Sequence, residues 1–260
     1  MDRTRIEEGA RRLAAARRTG EPVASALVSG APADLDEAYA IQAASLAGIG
    51  GRPIGYKIGC TNESAQALLG LDAPFHGRLL ADFAQASPGR LDADAMRIRI
   101  LEPEIAFRLG RDLPAAGAPY DAASVRPAVA AVMGAVEVVD TRYLDWMTVG
   151  AFNLIADNAS AGHWVHGPES TDVGAIDYEA HPVALSLNGE LRERGVAGNA
   201  LGSSLNALAW LANELVKRGG MLRAGELVTT GTCTKVIPAA KGDLVSADFG
   251  RLGRVEVTFD

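Results

Sequence analysis

The alternation of apolar and polar residues changes period several times along the chain. From Arg3 to Arg18, Ala and Leu are interspersed with Arg and Glu, and Gly20 follows, a common helix ending. A second helix is predicted over Leu35–Leu46, entered through a Pro/Ala/Asp stretch and stopped before Gly48 to Gly51. Beyond it the pattern shortens to β-like runs at Ile54–Gly59, Ile98–Leu109 and Ala135–Val139. Later runs fall at Val183–Leu187, Leu227–Thr230, Leu244–Phe249 and Val255–Phe259. Asn188-Gly189 is a hairpin turn signal. One late helix follows Ser203-Ser204, with Leu205, Leu208, Leu211 and Leu215 as its core stripe and Gly219-Gly220 at its end.

The β-runs do not alternate regularly with helices, and no strand-to-helix G-x-G-x-x-G is present, which disfavours a dinucleotide-binding α/β sheet. The expectation is an α+β protein dominated by β structure. It divides into a helical segment over residues 1–50 and a catalytic β-rich domain over residues 51–260, forming one structural unit. The formal net charge of −7 argues against nucleic acid as a partner. No stretch reaches the roughly 18 apolar residues of a membrane span, and residues 1–20 lack a secretory apolar run. Cys60 and Cys233 form no disulfide framework or C-x-x-C motif and read as packed side chains in a reduced, cytoplasmic protein.

Against this background three carboxylates stand out. Glu102 and Glu104 lie in Leu101-Glu-Pro-Glu-Ile-Ala-Phe107, and Glu137 in Gly134-Ala-Val-Glu-Val-Val-Asp140. A charge inside an apolar strand is costly unless it is paired or bound to a cation. Residues two apart on a strand share a face, so Glu102 and Glu104 point the same way. With Glu137 they can form a hard oxygen site for Mg²⁺ or Mn²⁺; the competing reading is three solvated strand-end glutamates.

Other chemistry is less specific. Lys57, in Gly55-Tyr-Lys-Ile-Gly59, is on the opposite strand face from Tyr56 and Ile58, suited to binding a carboxylate or moving a proton, though a surface lysine fits equally. Ala156-Asp-Asn-Ala-Ser160 is a polar cluster able to hold a bound water or substrate carboxylate, or to build an Asx turn. Thr230, Gly231 and Thr232, in Val228-Thr-Thr-Gly-Thr-Cys-Thr234, offer hydroxyls and backbone N–H groups to an anion. His163 and His166 fall on opposite faces if their segment is extended, which disfavours them as a metal pair, and His181 beside Pro182 reads as a loop residue.

In combination, these motifs resemble the 2-keto-4-pentenoate hydratase branch of the fumarylacetoacetate hydrolase superfamily, which also contains 4-oxalocrotonate decarboxylases. The resemblance runs from Ala38-Tyr-Ala-Ile-Gln42 to Phe259. It includes Gly55-Tyr-Lys-Ile-Gly59, Leu71-Asp72, Glu102-Pro-Glu-Ile-Ala106, Val136-Glu-Val-Val139, Ala156-Asp-Asn-Ala-Ser160, Leu201-Gly202, Trp210-Leu-Ala212 and Thr230-Gly231.

The resemblance implies a mixed β-roll-like domain of the fumarylacetoacetate hydrolase C-terminal type, assembled as a homo-oligomer, with association to a related decarboxylase subunit conceivable. It implies Glu102, Glu104 and Glu137 as ligands of Mg²⁺ or Mn²⁺, Lys57 as the active-site lysine, and a small 2-oxo acid as substrate. The implied activity is hydration of a 2-hydroxydienoate in aromatic catabolism. Decarboxylation of a 2-oxo-enedioate, C–C hydrolysis of an acylpyruvate and a non-catalytic partner subunit are the alternatives. One departure stands out: many hydratases carry Pro-Asp-Phe-Gly or Pro-Asp-Tyr-Gly where this chain has Pro74-Phe75-His76-Gly77. Phe75 replaces the acid, and the neighbouring His76 becomes the candidate substitute for proton transfer.

Overall fold

The computed structural model describes residues 3–24 and 31–260. Its strands, in chain order, are β1 Pro53–Gly59, β2 Phe75–Leu80, β3 Ala84–Ala86, β4 Gly89–Leu91, β5 Ile100–Leu109, β6 Val129–Val139 and β7 Ala161–His166. They continue as β8 Pro182–Leu187, β9 Glu190–Val196, β10 Leu227–Thr232, β11 Ile237–Pro238, β12 Leu244–Asp248 and β13 Arg254–Phe259. The helices are α1 Arg3–Thr19, α2 Leu35–Ile49, α3 Glu63–Leu69, α4 Ala122–Val125, α5 Ala151–Ala156 and α6 Ser204–Lys217. Of the expected helical segment over residues 1–50, residues 1–2 and 25–30 lie outside the described set.

The main local expectations hold, with shifted ends. The second helix continues to Ile49, because Gly48 is tolerated inside it and Gly50 ends it in a left-handed conformation. Asp34 caps its start by accepting from Glu37 N–H. The strand expected over Ala135–Val139 begins at Val129, since Ala130, Ala131 and Met133 carry little β signal of their own but pair along β5. The segment holding His163 and His166 is a strand, and strand β2 and helices α3 and α5 emerge only in the structure.

Two sheets form. The larger runs β2-β1-β10-β5-β6-β7-β3, with β11 added against β5; the smaller runs β4-β13-β12-β8-β9. The Asn188-Gly189 turn joins the β8–β9 hairpin. Strand alternation divides the large sheet cleanly. Leu101, Ile105, Phe107 and Leu109 of β5 and Val132, Val136 and Val138 of β6 enter one apolar core with Val245, Val257 and Phe259 of the small sheet and the leucine stripe of α6. The other face carries Ala106, Met133 and Ala135 beside Leu79 and Trp164, and on that face lie the charged residues.

Candidate active site

Four adjacent strands, β1, β10, β5 and β6, each put polar side chains on that second face. In the β5–β6 register Glu102 stands opposite Glu137 and Glu104 opposite Ala135. Carboxylate oxygens of Glu102, Glu104 and Glu137 come within 4.8 Å of one another. Glu104 and Glu137 are fully buried, at 0% and 1% exposure, and Glu102 is half-buried at the edge of a cavity of about 600 Å³. Lys57 comes from β1, with Nζ 2.6 Å from Glu137 Oε1 and donating to the Ala159 carbonyl at 3.0 Å.

Thr229 Oγ1 and Gly231 N–H both donate to Glu104 Oε2, the latter at 3.0 Å. Glu104 Oε1 and Glu137 Oε2 accept no hydrogen bond among the described residues, an arrangement too costly for buried carboxylates to be structural alone. With all three carboxylates ionised, they and the ammonium carry a net charge of −2. Hard oxygen donors, open buried lone pairs and this charge together fit a divalent cation.

The titration of the cluster follows from the same crowding. Burial pushes the Glu137 carboxyl up to about 7 against the pull of Lys57, with Glu102 adding to the rise. Burial, reinforced by Glu137 and Glu102, holds Glu104 well above the usual carboxylate range. Burial likewise raises Glu102, opposed by Lys57. For Lys57 burial works against the charge, but Glu137 and Glu102 outweigh it and the ammonium titrates above its ordinary value. It therefore sits in the cluster as a cation.

The turn after α5 explains how Lys57 is held. Asn158, Ala159 and Ser160 all have φ 55, three successive non-glycine residues in the left-handed region. Each costs about 1–2 kcal/mol and persists only where its surroundings over-determine it. Here Asn158 clamps the β2 backbone, accepting from Arg78 N–H at 2.7 Å and donating to Arg78 O at 2.9 Å. Asp157 binds Arg142, accepting from Nε at 2.5 Å and from its N–H at 2.9 Å. Ser160 O accepts from Asp140 N–H at 3.0 Å. The chain so fixed aims the Ala159 carbonyl at Lys57. Gly77 makes room for it, because a Cβ there would meet Asn158 O at 2.4 Å.

Not every expected site residue joins this group. Of the polar cluster, Ser160 lines the cavity, while Asp157 and Asn158 are committed to Arg142 and Arg78. Gly231 and Thr232 line the cavity, but the Gly231 N–H is spent on Glu104 and the Thr232 hydroxyl donates to Thr234 O at 3.1 Å. Thr230 turns away and donates to Ile105 O at 2.7 Å.

His76 is separated outright. It pairs with Ile58 while Lys57 pairs with Gly77, so the two side chains occupy opposite faces of the sheet. The His76 ring stacks on Tyr39 at 4.4 Å, neither ring nitrogen has a partner among the described residues, and burial drives its pKa down to about 3. It is a buried neutral ring. Phe75, by contrast, lines the cavity and packs over Gly59.

Thr229 and the Ala159 carbonyl were not singled out in the sequence. Thr229 lies within the strand expected over Leu227–Thr230, but only the pairing of that strand with β5 brings its hydroxyl to Glu104. The carbonyl had no signal, because its direction depends on tertiary clamps.

These features place the chain in a known class. Residues 88–260 match the fumarylacetoacetate (FAA) hydrolase C-terminal family, to which this chain belongs. The chain is 32% identical over 257 residues to 2-keto-4-pentenoate hydratase of Paraburkholderia xenovorans (strain LB400), an alignment covering 98% of this chain and 94% of that protein. It is 34% identical over 261 residues to the 2-keto-4-pentenoate hydratase of Paraburkholderia phymatum, covering 99% and 98%. Among solved structures, 4-oxalocrotonate decarboxylase from Pseudomonas putida G7, complexed with magnesium and adipate, superposes with a TM-score of 0.93 at 26% identity, covering 100% of this chain and 99% of that one. The α+β architecture expected for the family is the one observed. No helix among the described residues is long and apolar enough to cross a membrane.

Proposed function

We propose that this chain is a hydro-lyase that adds water to a 2-hydroxydienoate, with 2-hydroxypenta-2,4-dienoate as the simplest substrate. The observation that carries the reading is a buried three-carboxylate cluster with its lysine, in a chain that aligns end to end with 2-keto-4-pentenoate hydratases. Glu102, Glu104 and Glu137 would hold a divalent ion, Mg²⁺ or Mn²⁺. When bound, such an ion supplies Lewis-acid stabilisation of negative charge developing on a 2-oxo acid.

The chain's own residues account for positioning and proton handling. An ammonium has three N–H groups, and Glu137 and Ala159 O take two from Lys57. The third is available to the cavity that Lys57 lines, where it holds the substrate oxygen or moves a proton. Ketonisation takes the proton from the 2-hydroxyl and delivers one to C5, giving a conjugated 2-oxo-3-enoate. Water then adds at C4 with a proton at C3, yielding a 4-hydroxy-2-oxo acid. Ser160 and Thr232 flank the same space. His76 has no part in this scheme.

The same reading carries a homo-oligomer in the reducing cytoplasm, consistent with two buried free cysteines. Product analysis tests it. The metal-loaded protein with 2-hydroxypenta-2,4-dienoate should bleach the diene and form one product heavier by one water. Release of CO₂ from a 2-oxo-enedioate, or scission of an acylpyruvate, without dienoate hydration would assign it to the decarboxylase or hydrolase chemistry instead.

A further inference from the structure

Two residues outward from the carboxylates, the same sheet face turns apolar. Glu102 stands opposite Glu137, and the next pair on that face is Ile100 opposite Val139. Residues two apart share a face and lie about 7 Å apart, so these two form the adjoining layer of the cavity, which both line. Leu69 of α3, Leu154 of α5, Trp146 and Val236 surround the same space. Among the described residues its charged lining groups are Lys57 and Glu102 at the cluster and Lys235, which is exposed. The cavity, about 600 Å³, falls within the roughly 300–1,000 Å³ that holds drug-sized ligands, far more than a five-carbon acid fills.

Resting on the hydratase reading, we infer that the space beyond Ile100 and Val139 is a subsite for a bulky apolar substituent at C5 of the dienoate, an alkyl chain or aryl ring. Ile100, Val139, Trp146 and Leu69 set this specificity. With the C1–C2 end fixed at the carboxylate cluster, a substituent at C5 extends along the face away from Glu102. A carboxylate there would lose its hydration against aliphatic side chains with no buried cation to receive it.

The test is kcat/KM for 2-hydroxypenta-2,4-dienoate and its 5-methyl, 5-propyl and 5-phenyl homologues, with one homologue whose alkyl tail ends in carboxylate. The metal-loaded wild type should gain about fourfold in kcat/KM per buried methylene, and the carboxylate-tailed homologue should fall below its uncharged isostere. Trp146→Ala should lower the phenyl-to-unsubstituted ratio. Leu68→Asp, at a rim position 71% exposed where folding is not at stake, should lower the same ratio. If the unsubstituted dienoate is the best substrate, or the carboxylate-tailed one leads, the subsite is not apolar and the inference is overturned while hydratase function stands. If no dienoate is hydrated, the hydratase reading falls and the inference falls with it.

Discussion

A divalent ion held as proposed by the carboxylate cluster would compete with protons there, which gives a measurable pH dependence to metal-induced stability. Without metal, Glu137 has its pKa raised from 4.5 to about 7. Its protonated form therefore contributes stability at low pH that is lost as the pH rises through about 7. A divalent ion needs the ionised forms of Glu137 and of Glu104, which burial also raises, so metal-induced stabilisation is smallest in acid and climbs as the pH passes about 7. Each proton displaced is worth about 1.36 kcal/mol per pH unit, or about 2.7 kcal/mol between pH 5 and 7. At an unfolding entropy of about 2.1 cal/mol/K per residue, 260 residues turn this into about 5 °C of Tm.

The assay is Tm with and without a fixed excess of Mg²⁺ or Mn²⁺ from about pH 5 to 8.5. Taking the difference removes groups distant from the metal, including His76, whose depressed pKa gives the opposite slope in both samples. Glu104→Gln is the control. Its amide oxygen can still accept from Thr229 and Gly231, while a buried carboxyl that resists ionisation is replaced by a group that never ionises. The metal shift should vanish in this variant and its metal-free Tm should rise. A metal shift equal at pH 5 and pH 8, or one retained in Glu104→Gln, would refute the three-carboxylate site.

Three further outcomes follow from the geometry. Lys57→Met should lower kcat by about 10²-fold or more with metal binding retained; wild-type kinetics would remove Lys57 from the reaction. Gly77→Ala must displace the Asn158–Ser160 turn, costing about 1–3 kcal/mol of stability and, through a shift of order 1 Å at Lys57, up to about 10²-fold in turnover. Unchanged kcat there would show that the Ala159 carbonyl does not position the lysine. His76→Gln should leave the pH–rate profile superimposable on wild type, and an ionisation lost from that profile would bring His76 back into the mechanism.

Strand periodicity is a property of a few consecutive residues, so the sequence alone located β1, β5 and the C-terminal part of β6 and put Glu102 and Glu104 on one face. Glycine endings and Ser and Asp caps are equally local, which is why α1, α2 and α6 were legible. The need of these carboxylates for a cation or a counter-charge was legible in the same way, because they lie within apolar strands. What tertiary structure decided is everything that depends on which strands are neighbours. The β5–β6 register sets Glu137 opposite Glu102, and β10, arriving more than a hundred residues later, brings Thr229 and Gly231 to Glu104. His76 and Lys57 show the difference most plainly. Both were candidates by motif position, but the β1–β2 register turns one into a packed aromatic contact and the other into the buried ammonium of the site. A side chain's face is set by its own strand, but what that face meets is set by chain that is distant in sequence.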